Sequence, residues 1–278
     1  MAAASPDYNL QDLVNRDINE LIDSAVVEDV LSRDPFIPVP GVLNFRDLGV
    51  YGAPHIRRNL VYRSGGLSNL GDQSKAVLAK DLGITLILNL RSETETRMHP
   101  EPDIDGIEVV KIPSTEAPQL IKLDDFMGED GRKGYLKIYA EIMDIHRPSI
   151  RRALEHLRDG KGGLLFHCFA GKDRTGVLAA VIMGLAGCSD DQIANDYAMT
   201  RVGIEPHREA LLGMLMQWNK SWTMETPGMH EFSQIKGANI KAVLEIVQGK
   251  YGGMEGYVKK DLGFSDEDIQ KIIANLNG

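Results

Sequence analysis

LLFHCFAGKDRTGVLAAVI, Leu164 to Ile182, passes from large apolar residues through a short polar loop into a second apolar run. GLLFH (Gly163 to His167) is brief and bulky and predicts a buried strand; Thr175 to Ala186 predicts the buried helix that follows. A loop at the carboxyl end of a strand and the amino end of a helix is where α/β proteins hold phosphate. Backbone N–H groups there face the ligand, and the helix dipole adds about half a positive charge.

The same alternation extends outward. LVYRS (Leu60 to Ser64), ITLILNL (Ile84 to Leu90) and IEVVKI (Ile107 to Ile112) read as strands. DQSKAVLAKDLG reads as a helix, Ser92 with Glu95 as the capping box of another, and Tyr135 to Leu157 as two helices broken near Pro148. Strands alternating with helices imply a mostly parallel sheet covered on both faces, an α/β fold. From Ser189, which makes a second capping box with Gln192, the chain reads as helix and loop to its end. Apolar residues from Leu10 to Leu31 predict one amphipathic helix over residues 9–32, closed by the Pro-rich PFIPVPG (Pro35 to Gly41). Residues 1–38 are thus expected to be a helical extension, and residues 39–278 one catalytic α/β domain with a helical C-terminal portion.

Composition excludes several classes. The net charge of −9 argues against nucleic acid as a partner and makes any field attracting an anion a local one. Two cysteines, Cys168 and Cys188, form no disulfide framework, which points to a reducing compartment, the cytoplasm. MAAASPDYNLQDLVNRD turns polar within five residues and shows no signal pattern; the longest apolar run, Gly176 to Gly187, is 12 residues and too short for a transmembrane span. The sequence leaves the oligomeric state open.

The loop itself carries chemistry. Five residues separate Cys168 from Arg174. A thiol at an anion-binding helix terminus loses its proton readily, and the thiolate can attack a bound phosphate in line. The Arg174 guanidinium can hold two phosphate oxygens in a fork. Gly171 permits a backbone conformation that other residues resist, and the Thr175 hydroxyl is placed to hydrogen-bond the departing sulfur. A Cys–Arg pair at this spacing alone arises in roughly one such chain in ten; His167, Gly171, Thr175, Gly176 and the flanking strand and helix make chance negligible.

At HCFAGKDRTG the chain resembles the cysteine-based protein tyrosine phosphatase superfamily, whose signature is HCxxGxxR[ST]. It is most similar to the tyrosine/serine phosphatase branch, which includes secreted bacterial triple-specificity enzymes and their fungal relatives. NFRDLG (Asn44 to Gly49), YRSGGLS (Tyr62 to Ser68), NLRSETE (Asn89 to Glu95), NDYAMT (Asn195 to Thr200) and YGGMEGYVKKDLGFSDEDIQKI extend the likeness over about residues 39 to 276. The resemblance implies a protein-tyrosine-phosphatase fold and no metal or cofactor. It also implies a phosphate monoester hydrolase working through a phosphocysteine on Cys168, with phosphotyrosine, phosphoserine/threonine or phosphoinositide as substrate. Phe169, Ala170, Gly171, Lys172 and Thr175 are then the phosphate-binding loop. Lys172 and Asp173 are shared with lipid-handling members of the superfamily, and a second loop cation suits a multiply phosphorylated headgroup.

Other residues carry weaker expectations. Arg46 and Asp47 form a buried ion pair bracing the loop or help bind substrate, and Arg63 has the same two readings. His167 orders the loop rather than transferring protons. Asn89 stands where many relatives have aspartate and is left off the catalytic set. The general acid is Asp173 or Glu116: Asp173 lies within the motif, and Glu116 follows the strand Ile107 to Ile112 on a loop leaving towards the site. Met214, Met216, Trp218, Trp222, Met224 and Met229 read as core packing or as a lid. A helix of this length sets Cys188 roughly 20 Å from Cys168, too far for a disulfide. A phosphatase of lipid headgroups or metabolites, a dead phosphopeptide-binding module, a sulfurtransferase and an arsenate reductase are the competing readings. The module usually loses the cysteine or arginine that this chain keeps, and the reductase usually needs resolving cysteines near the nucleophile.

Overall fold

In the computed structural model, residues 7–50 and 56–278 are described; the first six residues of the expected extension lie outside them. Five strands form one sheet: β1 (Arg46–Asp47), β2 (Val61–Ser64), β3 (Ile84–Asn89), β4 (Glu108–Lys111) and β5 (Gly163–His167), in the order β1-β2-β5-β3-β4. β2, β5, β3 and β4 are mutually parallel, and the two-residue β1 pairs antiparallel with β2 at one edge. That edge strand has no signal in the sequence, because two residues carry no periodicity.

β5 lies at the centre and all of its residues are buried. Leu164 and Phe166 pack into the larger core on one face, whereas Leu165 joins Tyr62, Ile84 and Ile87 on the other. Successive side chains alternate across the sheet, so a strand covered on both sides is apolar throughout. The register sets Ser64, Asn89 and His167 side by side, and the site grows from this row of strand ends.

The helices follow in chain order: α1 (Leu10–Val14), α2 (Ser24–Leu31), α3 (Asp72–Ala76), α4 (Glu93–Met98), α5 (Arg132–Ile145), α6 (Arg147–Asp159), α7 (Asp173–Leu185), α8 (Asp190–Gly203), α9 (Arg208–Gln217), α10 (Met229–Ser233), α11 (Gly237–Tyr251), α12 (Met254–Lys260) and α13 (Asp266–Asn277). α3 runs on into a π-helical turn, Val77–Asp81. α7 is apolar around nearly its whole circumference and is buried accordingly. Both expected capping boxes form, Ser92 with Glu95 and Ser189 with Gln192. The chain breaks between α5 and α6 at His146, and Pro148 takes the first turn of the new helix, where a missing N–H costs nothing.

The single helix expected over residues 9–32 is two short ones. Asn15 ends α1, and the Asp23 carboxylate accepts hydrogen bonds from the Ala25 and Val26 amides to start α2. Asn and Asp side chains compete for backbone donors and favour helix ends over helix middles. Leu13, Val14, Val27 and Val30 then pack against Ala198, Met199 and Val202 of α8. Among the described residues no helix is long and apolar enough to cross a membrane.

Candidate active site

The loop from Cys168 to Lys172 leaves β5 and enters α7, whose amino end carries no side-chain cap. Gly171 turns the loop with φ +70°, and a Cβ there would sit 2.5 Å from the Ser64 carbonyl oxygen, so only glycine fits. Each loop carbonyl is taken by the surrounding scaffold. Cys168 O lies 3.3 Å from His167 Nδ1, and Phe169 O accepts from the Gly66 amide at 2.9 Å. Asn44 Nδ2 donates to Ala170 O at 3.2 Å and to Gly171 O at 3.3 Å, and Arg63 Nη2 donates to Gly171 O at 2.7 Å. With the oxygens so held, the loop and the uncapped helix end suit an anion.

Cys168 and Arg174 both line a cavity of about 430 Å³. Its polar residues include Glu95, His99, Lys172 and Asp173, and its walls are largely apolar: Ile18, Met98, Leu211, Leu215, Trp218 and Phe232 among them. Arg174 Nη1 donates to Leu90 O at 3.1 Å, and the guanidinium forks onto Glu95 at 2.6 and 2.7 Å. Burial disfavours the Arg174 charge, but Glu95 and Cys168 outweigh it and push the group above its ordinary value. Burial likewise opposes ionisation of Glu95, and Arg174 overcomes it, holding that carboxyl at about 2.

Arg46 and Asp47 do not pair with each other. As neighbours on a strand they project to opposite faces. The partner of Arg46 is Asp196 on α8, at 2.8 Å, and the other oxygen of Asp196 takes Arg63 at 2.5 Å. Asp47 instead accepts the Gly49 and Asn59 amides, both at 2.8 Å. Arg46 reaches the loop through Asn44, donating to its Oδ1 at 2.6 Å. Burial and then Arg63 lower the Arg46 guanidinium to about 10. Two guanidinium groups on one buried carboxylate therefore sit beneath the anion loop.

His167 is fully buried with Nε2 3.3 Å from Glu101 Oε2, and Glu101 also pairs with Arg91. Burial and then the Arg91 charge hold the imidazole down to about 3, so it is neutral. Asn89 accepts the Arg91 amide at 2.9 Å and its Nε at 3.2 Å, positioning that arginine behind the loop. Lys172 is caged: its ammonium donates to Phe232 O at 3.3 Å and lies over the Tyr135 and Phe232 rings. Burial lowers its basicity.

Asp173 accepts hydrogen bonds from Tyr139 at 3.0 Å and Tyr197 at 3.4 Å, and lines the cavity. Glu116 is exposed and is not among the cavity residues. The Thr175 hydroxyl is buried and has no hydrogen-bond partner among the described residues, so the expected bond to the sulfur is not made here. Phe169 and Ala170 line the cavity, and the Phe169 ring meets His99 edge-on at 5.5 Å. Cys168 and Cys188 are both unbridged, and burial raises the Cys188 thiol to about 11. Of the Met and Trp residues expected as core or lid, Met214 and Trp218 line the cavity, while Trp218 and Trp222 pack near Phe232 at 6.3 and 6.4 Å.

The sequence reading missed Asp196, Glu101, the two tyrosines on Asp173 and the grip of Glu95 on Arg174. Glu95 carried a signal as a helix cap, and Asp196 and Tyr197 lie in the family-like NDYAMT stretch, but neither signal names a partner across the loop.

The profile described as the tyrosine phosphatase family matches residues 37–278 of this chain. A triple specificity protein phosphatase of Mycobacterium tuberculosis is 27% identical over 277 residues, covering 86% of this chain and 98% of that protein. A tyrosine-protein phosphatase of Nostoc commune is 26% identical over 224 residues, covering 77% and 73%. Among solved structures, the core catalytic domain of a PP-IP phosphatase from S. cerevisiae aligns over 66% of this chain and 96% of its own, at 18% identity and a TM-score of 0.35.

Proposed function

Because this chain belongs to the tyrosine phosphatase family, we propose that residues 39–278 are its catalytic unit and hydrolyse phosphate monoesters through a phosphocysteine on Cys168. The observation that carries the reading is the meeting of Cys168 and Arg174 in a cavity beneath which every loop carbonyl is tied to the scaffold.

The phosphate lies against the loop amides and the Arg174 N–H groups that are not bonded to Glu95 or Leu90. The Cys168 thiolate attacks phosphorus, the P–O bond to the leaving group breaks, and Asp173 delivers a proton to the departing oxygen. Water then attacks the phosphocysteine with Asp173 as base, and the sulfur leaves as thiolate, accepting a hydrogen bond from the Thr175 hydroxyl, which has no other partner among the described residues. Phe169, Ala170, Gly171 and Lys172 complete the phosphate cradle. The loop donors and Arg174 neutralise the phosphate, so the reaction needs no metal, and the unbridged thiols fit a reducing cytoplasm.

Apolar walls above a polar floor favour an aryl phosphate, hence phosphotyrosine on a protein, over a multiply charged headgroup. The caging of Lys172 by Tyr135 and Phe232 supports the same order. The test is a panel of phosphotyrosine, phosphoserine and phosphoinositide substrates after exhaustive EDTA treatment, with Cys168→Ser as control. Phosphotyrosine turnover that Cys168→Ser abolishes while retaining substrate binding is the expected result. A tenth of wild-type activity surviving in Cys168→Ser overturns the covalent mechanism, and strict need for a divalent ion overturns the metal-free one.

A further inference from the structure

The stretch Asp17–Ile22 precedes the family-matched residues 37–278 and joins α1 to α2, yet Ile18 is 1% exposed and lines the cavity that holds Cys168 and Arg174. It is bonded to both ends of the segment that forms the opposite wall. At the α8–α9 end, Arg201 donates to Arg16 O and to Asp17 O, both at 3.1 Å, and Arg208 donates to Ile18 O at 3.1 Å. The Ile22 amide donates to Glu205 at 2.9 Å, and Glu205 in turn pairs with Arg201.

At the far end, just past α10, the Ile18 amide donates to Gln234 Oε1 at 3.3 Å. Gln234 Nε2 donates to the Asp17 carboxylate at 3.0 Å, and His230 lies 2.7 Å from the same oxygen. Arg201, Arg208 and Gln234 are all buried, and each makes at least one hydrogen bond to this stretch. A buried donor left without its acceptor is costly. The bonds thus fasten residues 205–234, with the cavity-lining Leu211, Leu215 and Trp218 strung between the two fastened ends.

We infer that Asp17–Ile22 is part of the active-site wall and sets how large a substrate body the cavity admits, by presenting Ile18 to it and by clasping residues 205–234 at both ends. The inference rests on the reading that this cavity receives the substrate. Asp17 and Ile18 are positioning and specificity residues; neither takes part in the chemistry.

Two measurements on the full chain test it. The first is kcat/KM for para-nitrophenyl phosphate and for the bulkier biphenylyl phosphate in Ile18→Ala and Ile18→Phe. Ile18→Ala is expected to raise the bulky-to-small ratio roughly tenfold, the scale of a pocket methylene, and Ile18→Phe to lower it. Ile18→Val replaces Ile18→Phe, with a smaller rise expected, if the larger side chain does not fold. The second uses the two tryptophans of the chain, Trp218 and Trp222, both inside the clasped segment. Asp17→Asn is expected to raise their quenching by acrylamide about twofold at an unchanged melting temperature, since an amide oxygen is a weaker acceptor than the carboxylate that Gln234 and His230 share. A ratio that does not move in the Ile18 variants overturns the wall, and unchanged quenching in Asp17→Asn overturns the clasp. Wild-type protein that hydrolyses neither ester breaks the catalytic reading instead, and the fluorescence still decides the clasp.

Discussion

The Arg174 guanidinium is gripped on two nitrogens by the Glu95 carboxylate, at 2.6 and 2.7 Å, and Glu95 Oε2 also accepts the Ser92 amide that starts α4. One carboxylate thus ties a helix cap to the arginine of the anion loop. Glu95→Gln keeps a side chain able to cap but loses the charge and half of the fork. Its kcat is expected to fall about a hundredfold, the scale of a small misplacement of a catalytic group, with little change in melting temperature. Arg174→Lys, which removes the fork itself, is expected to cost a hundredfold or more. Equal losses of stability and rate in Glu95→Gln would reduce Glu95 to a helix cap.

Asp196 bridges Arg46 and Arg63 with its two oxygens, and Arg63 continues to Gly171 O at 2.7 Å. Asp196→Asn keeps the shape and removes the charge, leaving two buried guanidinium groups uncompensated. Urea unfolding is expected to show a loss on the order of 3–5 kcal/mol, the range for a broken buried pair. A loss below about 1 kcal/mol, the surface-pair range, rules the brace out.

The two carboxyls considered for the general acid now differ in position: Asp173 is in the cavity under Tyr139 and Tyr197, and Glu116 is exposed away from it. Asp173→Asn is expected to slow alkyl phosphates about 10² to 10⁴-fold and activated aryl phosphates far less, because only a poor leaving group needs the proton. Glu116→Gln is expected to leave both unchanged. The reverse pattern moves the acid to Glu116.

His167 is held at about 3 by burial and by Arg91, below its ordinary 6.5, so the unfolded chain takes up a proton that the folded chain refuses. Its contribution is whole above pH 6.5 and is lost as pH falls towards 3. Glu95, held at about 2 against its ordinary 4.5, loses its contribution only between about 4.5 and 2. From pH 6 to 5 the stability slope therefore includes His167 and not Glu95. His167→Gln is expected to flatten that slope by up to one proton, about 1.4 kcal/mol per pH unit. His146, lowered to about 4 by burial, and His156, also lowered by burial, contribute to the slope that remains. An identical slope in His167→Gln means that the imidazole is not held neutral.

Much of this was legible in residues close in the chain. The strands around β5, the helix α7 and both capping boxes follow from periodicity and from contacts within four residues. The pairing of Arg46 was not, because Asp47 is its neighbour in sequence and Asp196 its neighbour in space. The break in the predicted 9–32 helix was half legible: its apolar residues keep helical spacing, and the caps at Asn15 and Asp23 cut across it.

The sequence by itself determined the loop and the places of Cys168 and Arg174 in it, since the seven consecutive residues from one to the other and a strand–helix flank dictate local geometry whatever surrounds them. Only the tertiary structure decided what holds that loop. The register beside Ser64 admits no Cβ at Gly171, α4 delivers Glu95 to Arg174, and α8 delivers Asp196 to two arginines. It alone decided that Ile18 faces the cavity. Burial makes such partners obligatory, because a charge or donor removed from water must find its counterpart, but the counterpart can come from any distance along the chain.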